Sequence, residues 1–71
     1  MKKQDVRALK LSIDNAIGRA ECSIKDNKRL AREMAKNENY MLQGYHTGYE
    51  CAERFYKEFL IRISDALEKE I

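Results

Sequence analysis

The sequence contains almost nothing that interrupts a helix. It has no proline and only three glycines among 71 residues. Proline removes a backbone donor and breaks helices, and glycine weakens them, so their scarcity permits long helices. Charged residues make up 37% of the chain, which is also typical of long helices. We expect a single helical domain over residues 1–71, close to the lower size limit for a self-sufficient core.

The chain also lacks the signals of membrane and secreted proteins. No run of about 18 apolar residues is present, so no membrane span is expected. The opening stretch MKKQDVRALK has no apolar core of the kind that a signal peptide needs. We expect a cytoplasmic protein whose two cysteines, Cys22 and Cys51, are reduced and half-buried as small hydrophobic residues.

Catalytic and metal-binding patterns are equally scarce. The cysteines form neither a CxxC pair nor a zinc pattern, and no Ser-His-Asp or Cys-His arrangement is visible. His46, Glu50 and Glu53 share one helix face and could offer ligands to a metal, but this face is polar and continues with Lys57. We expect that face to be solvated, and we expect no enzymatic activity, no cofactor, no metal site and no small-molecule substrate.

Apolar residues recur at the helical spacing i, i+3, i+4, i+7 in two stretches that a polar segment separates. The segment is Lys36-Asn37-Glu38-Asn39, and asparagine favours both turns and helix N-caps. We therefore expect arm one over about residues 4–36, a hinge over about 37–39, and arm two over about 40–70.

A fold-back near Glu38 predicts an antiparallel helical hairpin. Apolar side chains of the two arms then face each other, and small residues meet large ones. The alternative is one continuous helix in a long parallel coiled coil, because the hinge has neither glycine nor proline. The predicted facing pairs of the hairpin are Val6 with Ile71 at the chain end, Leu9 with Leu67, Ile13 with Ile63, Ile17 with Phe59, Ala20 with Tyr56, Ile24 with Ala52, Ala31 with Tyr45, and Met34 with Leu42.

Arm two has a wider apolar arc than arm one can cover. On a helical wheel the apolar stripe of arm one spans roughly 100°, whereas that of arm two spans roughly 200°. The side predicted to close the hairpin carries Tyr45, Tyr49, Ala52 and Tyr56. The other side stays uncovered in a lone hairpin and is the candidate interface, with Gly44, Gly48, Cys51, Phe55 and Phe59. A second copy that covers it would give a homodimeric four-helix bundle, and the alternative is a different protein.

Charge is distributed unevenly along the chain. Residues 1–36 hold ten Lys or Arg and five Asp or Glu, whereas residues 37–71 hold four and seven. Five basic residues in arm one follow helical spacing and form a stripe that we call the basic stripe. It would suit nucleic-acid phosphates or an acidic protein, unless it is simply solvated beside acids of arm two such as Glu50 and Glu53. The basic stripe consists of Lys25, Lys28, Arg29, Arg32 and Lys36.

All six aromatic residues, four tyrosines and two phenylalanines, lie between Tyr40 and Phe59. Within this region the tract GYHTGYECAERFYKEFLIRI, at 44–63, resembles small helical accessory proteins of phages and mobile elements of low-GC bacteria. The resemblance implies a protein that binds and modulates a host or phage protein, including inhibitors of bacterial defence systems.

The sequence therefore predicts a non-enzymatic protein-interaction module that associates with itself and with another protein. The resemblance favours a phage-type inhibitor or modulator that occludes a host protein. One alternative is a nucleic-acid-binding regulator that uses the basic stripe. Another is a structural coiled-coil adaptor.

Overall fold

The computed structural model describes residues 2–71 and consists, over those residues, of two antiparallel helices joined by a short turn. Helix α1 spans Lys3–Lys36 and helix α2 spans Tyr40–Glu68. The rod they form measures 53 × 14 × 12 Å between Cα atoms, close to the length of about 51 Å that 34 helical residues produce. The predicted helical hairpin is confirmed, and the continuous-helix alternative is wrong.

The turn between the helices is set by hydrogen bonds of a Schellman motif. The amide of Asn39 donates to the carbonyl of Met34 at 2.8 Å, and the amide of Glu38 donates to that of Ala35 at 3.1 Å. Glu38 occupies the left-handed region with a φ of 58°. The side chain of Asn39 then accepts a hydrogen bond from the amide of Leu42 at 3.2 Å, which caps the first turn of α2. Asn39 therefore makes hydrogen bonds to the end of α1 and to the start of α2.

The two helices meet along positions that alternate between three and four residues apart. This seven-residue repeat keeps one side of each helix against the other, as in an antiparallel coiled coil. We call the α2 positions the inner seam. In α1 the buried and half-buried positions of the repeat are Val6, Lys10, Ile13, Ile17, Ala20, Ile24, Asn27, Ala31 and Met34. The inner seam of α2 and the chain end consists of Gln43, His46, Glu50, Glu53, Lys57, Leu60, Ser64, Leu67 and Ile71.

A polar network lies within the otherwise apolar end of this contact. Ser64 donates a hydrogen bond from its hydroxyl to Oδ1 of Asp14 at 2.6 Å, and Nζ of Lys10 lies 2.9 Å from the other carboxylate oxygen. Lys10 also lies 3.6 Å from Glu68. These donors lower the pKa of Asp14, chiefly through Lys10 and then through Ser64, and the bond to Asp14 raises the pKa of Lys10.

Apart from Val6 with Ile71, which are buried and half-buried, the predicted facing pairs are wrong by about one residue of α2. The structure buries Leu60, which is 5% exposed, and leaves Phe59 61% exposed. One residue corresponds to about 100° of rotation about the helix axis, so the predicted closing side faces outward instead. Its four residues, Tyr45, Tyr49, Ala52 and Tyr56, are all exposed.

The physical reason lies at the open end of the hairpin. At that end, Val6, Ile13 and Ile17 of α1 lie opposite Leu60 and Leu67 of the inner seam. These contacts fix the rotation of α2, and the seven-residue repeat then carries the same side of the helix toward the turn. Near the turn that side is polar.

The conformation of Glu38 generates a first prediction. A left-handed backbone costs a residue with a Cβ about 1–2 kcal/mol, and glycine avoids this cost. Glu38→Gly should therefore raise the free energy of unfolding by about 1 kcal/mol, measured by urea denaturation. Asn37→Gly is the matched control, because Asn37 has a φ of −89° and gains nothing from glycine. Equal effects of the two substitutions would contradict the strain at Glu38.

The rotation of α2 generates a second prediction. Leu60→Ala should lower the free energy of unfolding by about 2–3 kcal/mol, because it opens a cavity in the contact. Leu11→Ala removes the same atoms from a side chain that is 62% exposed on α1, and it should change stability by less than about 0.5 kcal/mol. Both are measured at one protein concentration by urea denaturation. If Leu60→Ala proved as mild as Leu11→Ala, the observed rotation would be wrong.

Candidate protein-interaction surface

A second seven-residue repeat runs along the side of α2 that faces away from α1. Its positions alternate between four and three residues apart, and every one of them is exposed. At 100° per residue it lies roughly 150° around α2 from the inner seam. We call it the outer seam, and it consists of Met41, Tyr45, Gly48, Ala52, Phe55, Phe59, Arg62 and Ala66.

Among the described residues, the two large hydrophobic side chains with the highest exposed fraction lie on the outer seam. Met41 is 84% exposed and Phe55 is 76% exposed. Tyr49 and Tyr56 extend the surface along one edge, and both are about half exposed. A shallow groove beside the opposite edge is lined by Cys51, Arg54, Phe55 and Glu58. An apolar surface of this extent is characteristic of a site that another molecule covers.

The residues predicted as an interface all lie on or beside the outer seam. Gly48, Phe55 and Phe59 belong to it, and Gly44 and Cys51 lie along its edge. All five are exposed. A Cβ atom built on Gly44 or on Gly48 meets no atom within 4 Å, so packing within the hairpin requires neither glycine. Each glycine costs a helix about 1 kcal/mol relative to alanine, and the hairpin alone does not explain that cost.

The accessible surface of the chain is large for its mass. It amounts to 5456 Å² for a chain of 8.4 kDa. A compact monomer of this mass exposes roughly 4,600 Å², so the hairpin exposes a surplus of roughly 850 Å² relative to that reference. The surplus follows from the fold, because each helix of a two-helix rod has only one neighbour to cover it.

The basic stripe is exposed along its whole length, because all five of its residues lie on the solvent side of α1. Arg29 pairs with Glu33 of the same helix at 3.1 Å. Among residues 2–71, none of the five forms an ion pair with α2. Glu50 instead pairs with Arg54 at 2.8 Å, and Glu53 is half-buried in the inner seam. The acids of α2 therefore leave the positive charge of the stripe unneutralised.

The face with His46, Glu50 and Glu53 lies against α1, so the expectation that it is solvated is wrong. Nδ1 of His46 lies 2.9 Å from Oδ1 of Asn27. The amide nitrogen of Asn27 donates to the carbonyl of Ser23 at 2.9 Å, which leaves Oδ1 as an acceptor. Nδ1 of His46 therefore carries the hydrogen and donates a hydrogen bond to Oδ1 of Asn27 on the other helix. In the observed rotation of α2, this face packs against α1.

The described residues do not assemble a metal site or a cysteine pair. Within 2–71, no group of three His, Cys, Asp or Glu side chains is placed to hold a metal ion. Cys22 and Cys51 are free and exposed, which corrects the expectation that they are half-buried.

Comparisons with known proteins add no further residues to this surface. Over residues 2–71 neither helix combines the length and the apolar character that a membrane crossing needs. No family model matches the chain, and no curated protein or solved structure matches it either.

Proposed function

We propose that this chain is a non-enzymatic protein-interaction module that acts by contact. The observation that carries the proposal is the outer seam, a continuous apolar surface that the hairpin itself leaves uncovered. Its aromatic side chains are of the type that dominates binding energy at protein interfaces. A buried aromatic side chain contributes about 150–250 Å². Phe55 and Phe59 are 76% and 61% exposed in the hairpin, so most of that area is available to a partner.

The rigid support beneath this surface favours binding. Phe55 and Phe59 project from the middle of a 29-residue helix rather than from a loop. Side chains held on a helix lose less freedom when they are buried than side chains on a mobile loop. The surface is therefore preorganised, which raises affinity for a given contact area.

The basic stripe supplies the second element of the proposed mechanism. Its exposed positive charge, which has no ion-pair partner on α2 among residues 2–71, would steer the hairpin toward an acidic patch on a target protein. Once bound, a rod 53 Å long covers a large part of a small target. Together with the resemblance of 44–63 to phage accessory proteins, this favours a phage-type inhibitor or modulator that occludes a host protein.

The proposal predicts that a charge within the outer seam abolishes capture of partner proteins. The tagged chain is used to capture proteins from its source cells, and those retained are identified by mass spectrometry. Phe55→Glu should reduce retention of each specific partner at least about tenfold, because it places a charge in the buried centre of the contact. Leu11→Glu, at a leucine of α1 that is 62% exposed against 76% for Phe55, should leave retention unchanged.

Neither Phe55 nor Leu11 is buried in the hairpin, so both variants should stay helical. Circular dichroism measures whether they do. The proposal fails if the wild type retains no protein that Phe55→Glu loses while both variants remain helical. A partner protein that Phe55→Glu retains as well as the wild type does would bind at a surface other than the outer seam.

Nucleic-acid binding is a second candidate function, and the exposure of the basic stripe without partners on α2 favours it. It predicts duplex DNA or RNA binding at low salt that weakens steeply as salt rises, with a log–log slope of about −0.9 per phosphate contact. Lys28→Glu with Arg32→Glu should abolish that binding, measured by fluorescence anisotropy. Lys3→Glu with Lys69→Glu changes the net charge equally but lies outside the stripe. Absence of binding at low salt would eliminate this candidate.

A further inference from the structure

We propose that the partner which covers the outer seam is a second copy of this chain, with α2 packed antiparallel against α2 of the copy around a twofold axis. The inference rests on the proposed function and deepens it, because it names one partner of the module. The twofold axis would pass through the seam between Ala52 and Phe55.

The sizes of the outer-seam residues support this arrangement. Large and small side chains follow one another in an order that is complementary to itself when the helix is reversed. A twofold interface requires such self-complementarity, since the same surface is used by both copies. In the resulting layers, Met41 faces Ala66 of the copy, Tyr45 faces Arg62, Gly48 faces Phe59, and Ala52 faces Phe55.

Three of these four layers join one large residue to one small residue, which allows the helices to interdigitate at even spacing. The remaining layer places the guanidinium of Arg62 beside the ring of Tyr45, a favourable cation–π contact. The arrangement also accounts for Gly48. Its missing side chain has no packing role within the hairpin, but it leaves room for Phe59 of the copy.

One edge of the seam agrees with the same register. On that edge, Tyr49 would lie beside Tyr56 of the copy, and Leu42 would lie beside Ile63. These flanking pairs are apolar, and each occurs twice by symmetry. A surface used by an unrelated protein has no reason to show this self-complementarity.

A parallel pairing of the same seam fits less well. It would stack Phe55 on Phe55 and Phe59 on Phe59, while Gly48 would face Gly48 and leave a void. It would also place Arg62 directly against Arg62. Overpacked layers, voids and opposed like charges all weaken an interface.

The area also fits a second copy. A specific interface of standard size buries about 800 Å² on each partner. The hairpin exposes roughly 850 Å² more than a compact monomer of its mass. A twofold contact of standard size would therefore remove about as much surface as the whole chain has in surplus.

A size swap between Gly48 and Phe59 tests the proposed register. The dimer dissociation constant is measured by sedimentation equilibrium. Gly48→Phe puts two large residues in one layer and Phe59→Gly puts two small ones there, so each should raise the constant at least about tenfold. The double variant restores one large and one small residue per layer, and it should return within about threefold of wild type.

Gly18→Phe is the matched control, because Gly18 is exposed on α1 and has equally open space around it. It should leave the dissociation constant unchanged. Circular dichroism verifies helicity in every variant, and the open space at Gly48 means that a side chain there does not disturb the hairpin itself.

Engineered cysteines test the direction of the helices, in a background where Cys22 and Cys51 are serine. Met41→Cys together with Ala66→Cys should give a covalent dimer on oxidation, whereas Met41→Cys alone should give none. In a parallel pairing, Met41→Cys alone would form the covalent dimer. That outcome would overturn the proposed direction.

The outcomes separate this inference from the proposed function. A monomeric wild type, or a double variant no better than the single ones, would overturn the second copy as the partner. The proposed function would survive that result if Phe55→Glu still abolished capture of a different protein. Conversely, a dimer rescued by the swap that captures no other protein would retain the second copy and refute the occluding role.

Discussion

The rotation of α2 about its own axis is the constraint on which the exposed surfaces depend. Leu60 and Leu67 lie against the apolar stripe of α1 near the open end of the hairpin, and these contacts fix the rotation. Because α2 is a stiff helix of 29 residues, the rotation set at one end extends to the other. His46 is turned inward as a result, and Phe55 is turned outward. A rotation of one residue, about 100°, would move both side chains to the sides of the contact.

The polar contacts between the two helices show how the hairpin accommodates this rotation. Asn27 and His46 satisfy each other across the contact, and Lys57 lies 3.6 Å from Glu21. Among the described residues, no buried side-chain polar atom lacks a hydrogen-bond partner. The inner seam therefore leaves few polar atoms unsatisfied, but it contains no tyrosine or phenylalanine. The same packing choice closes the hairpin and leaves the outer seam available for a partner.

Much of the fold follows from local signals in the sequence. Two periodic stretches and an asparagine-rich hinge predicted the hairpin, because helix spacing and turn chemistry act over a few residues. The exposure of the five candidate interface residues was also predicted, since the apolar arc of α2 is too wide for α1 to cover. The rotation of α2 was predicted wrongly. Apolar residues occur on both sides of α2, so pairing by hydrophobicity alone favoured Tyr56 and Phe59 over Lys57 and Leu60.

The sequence by itself determined that this chain makes two amphipathic helices, where they reverse, and that α2 carries more apolar surface than one neighbour can bury. Only the tertiary structure decided which side of α2 packs against α1. That choice depends on contacts between residues some 50 positions apart, such as Asp14 with Ser64, and on hydrogen bonds that make a partly polar seam acceptable. Local periodicity carries no information about either, because it specifies that a face is apolar and not which neighbour covers it.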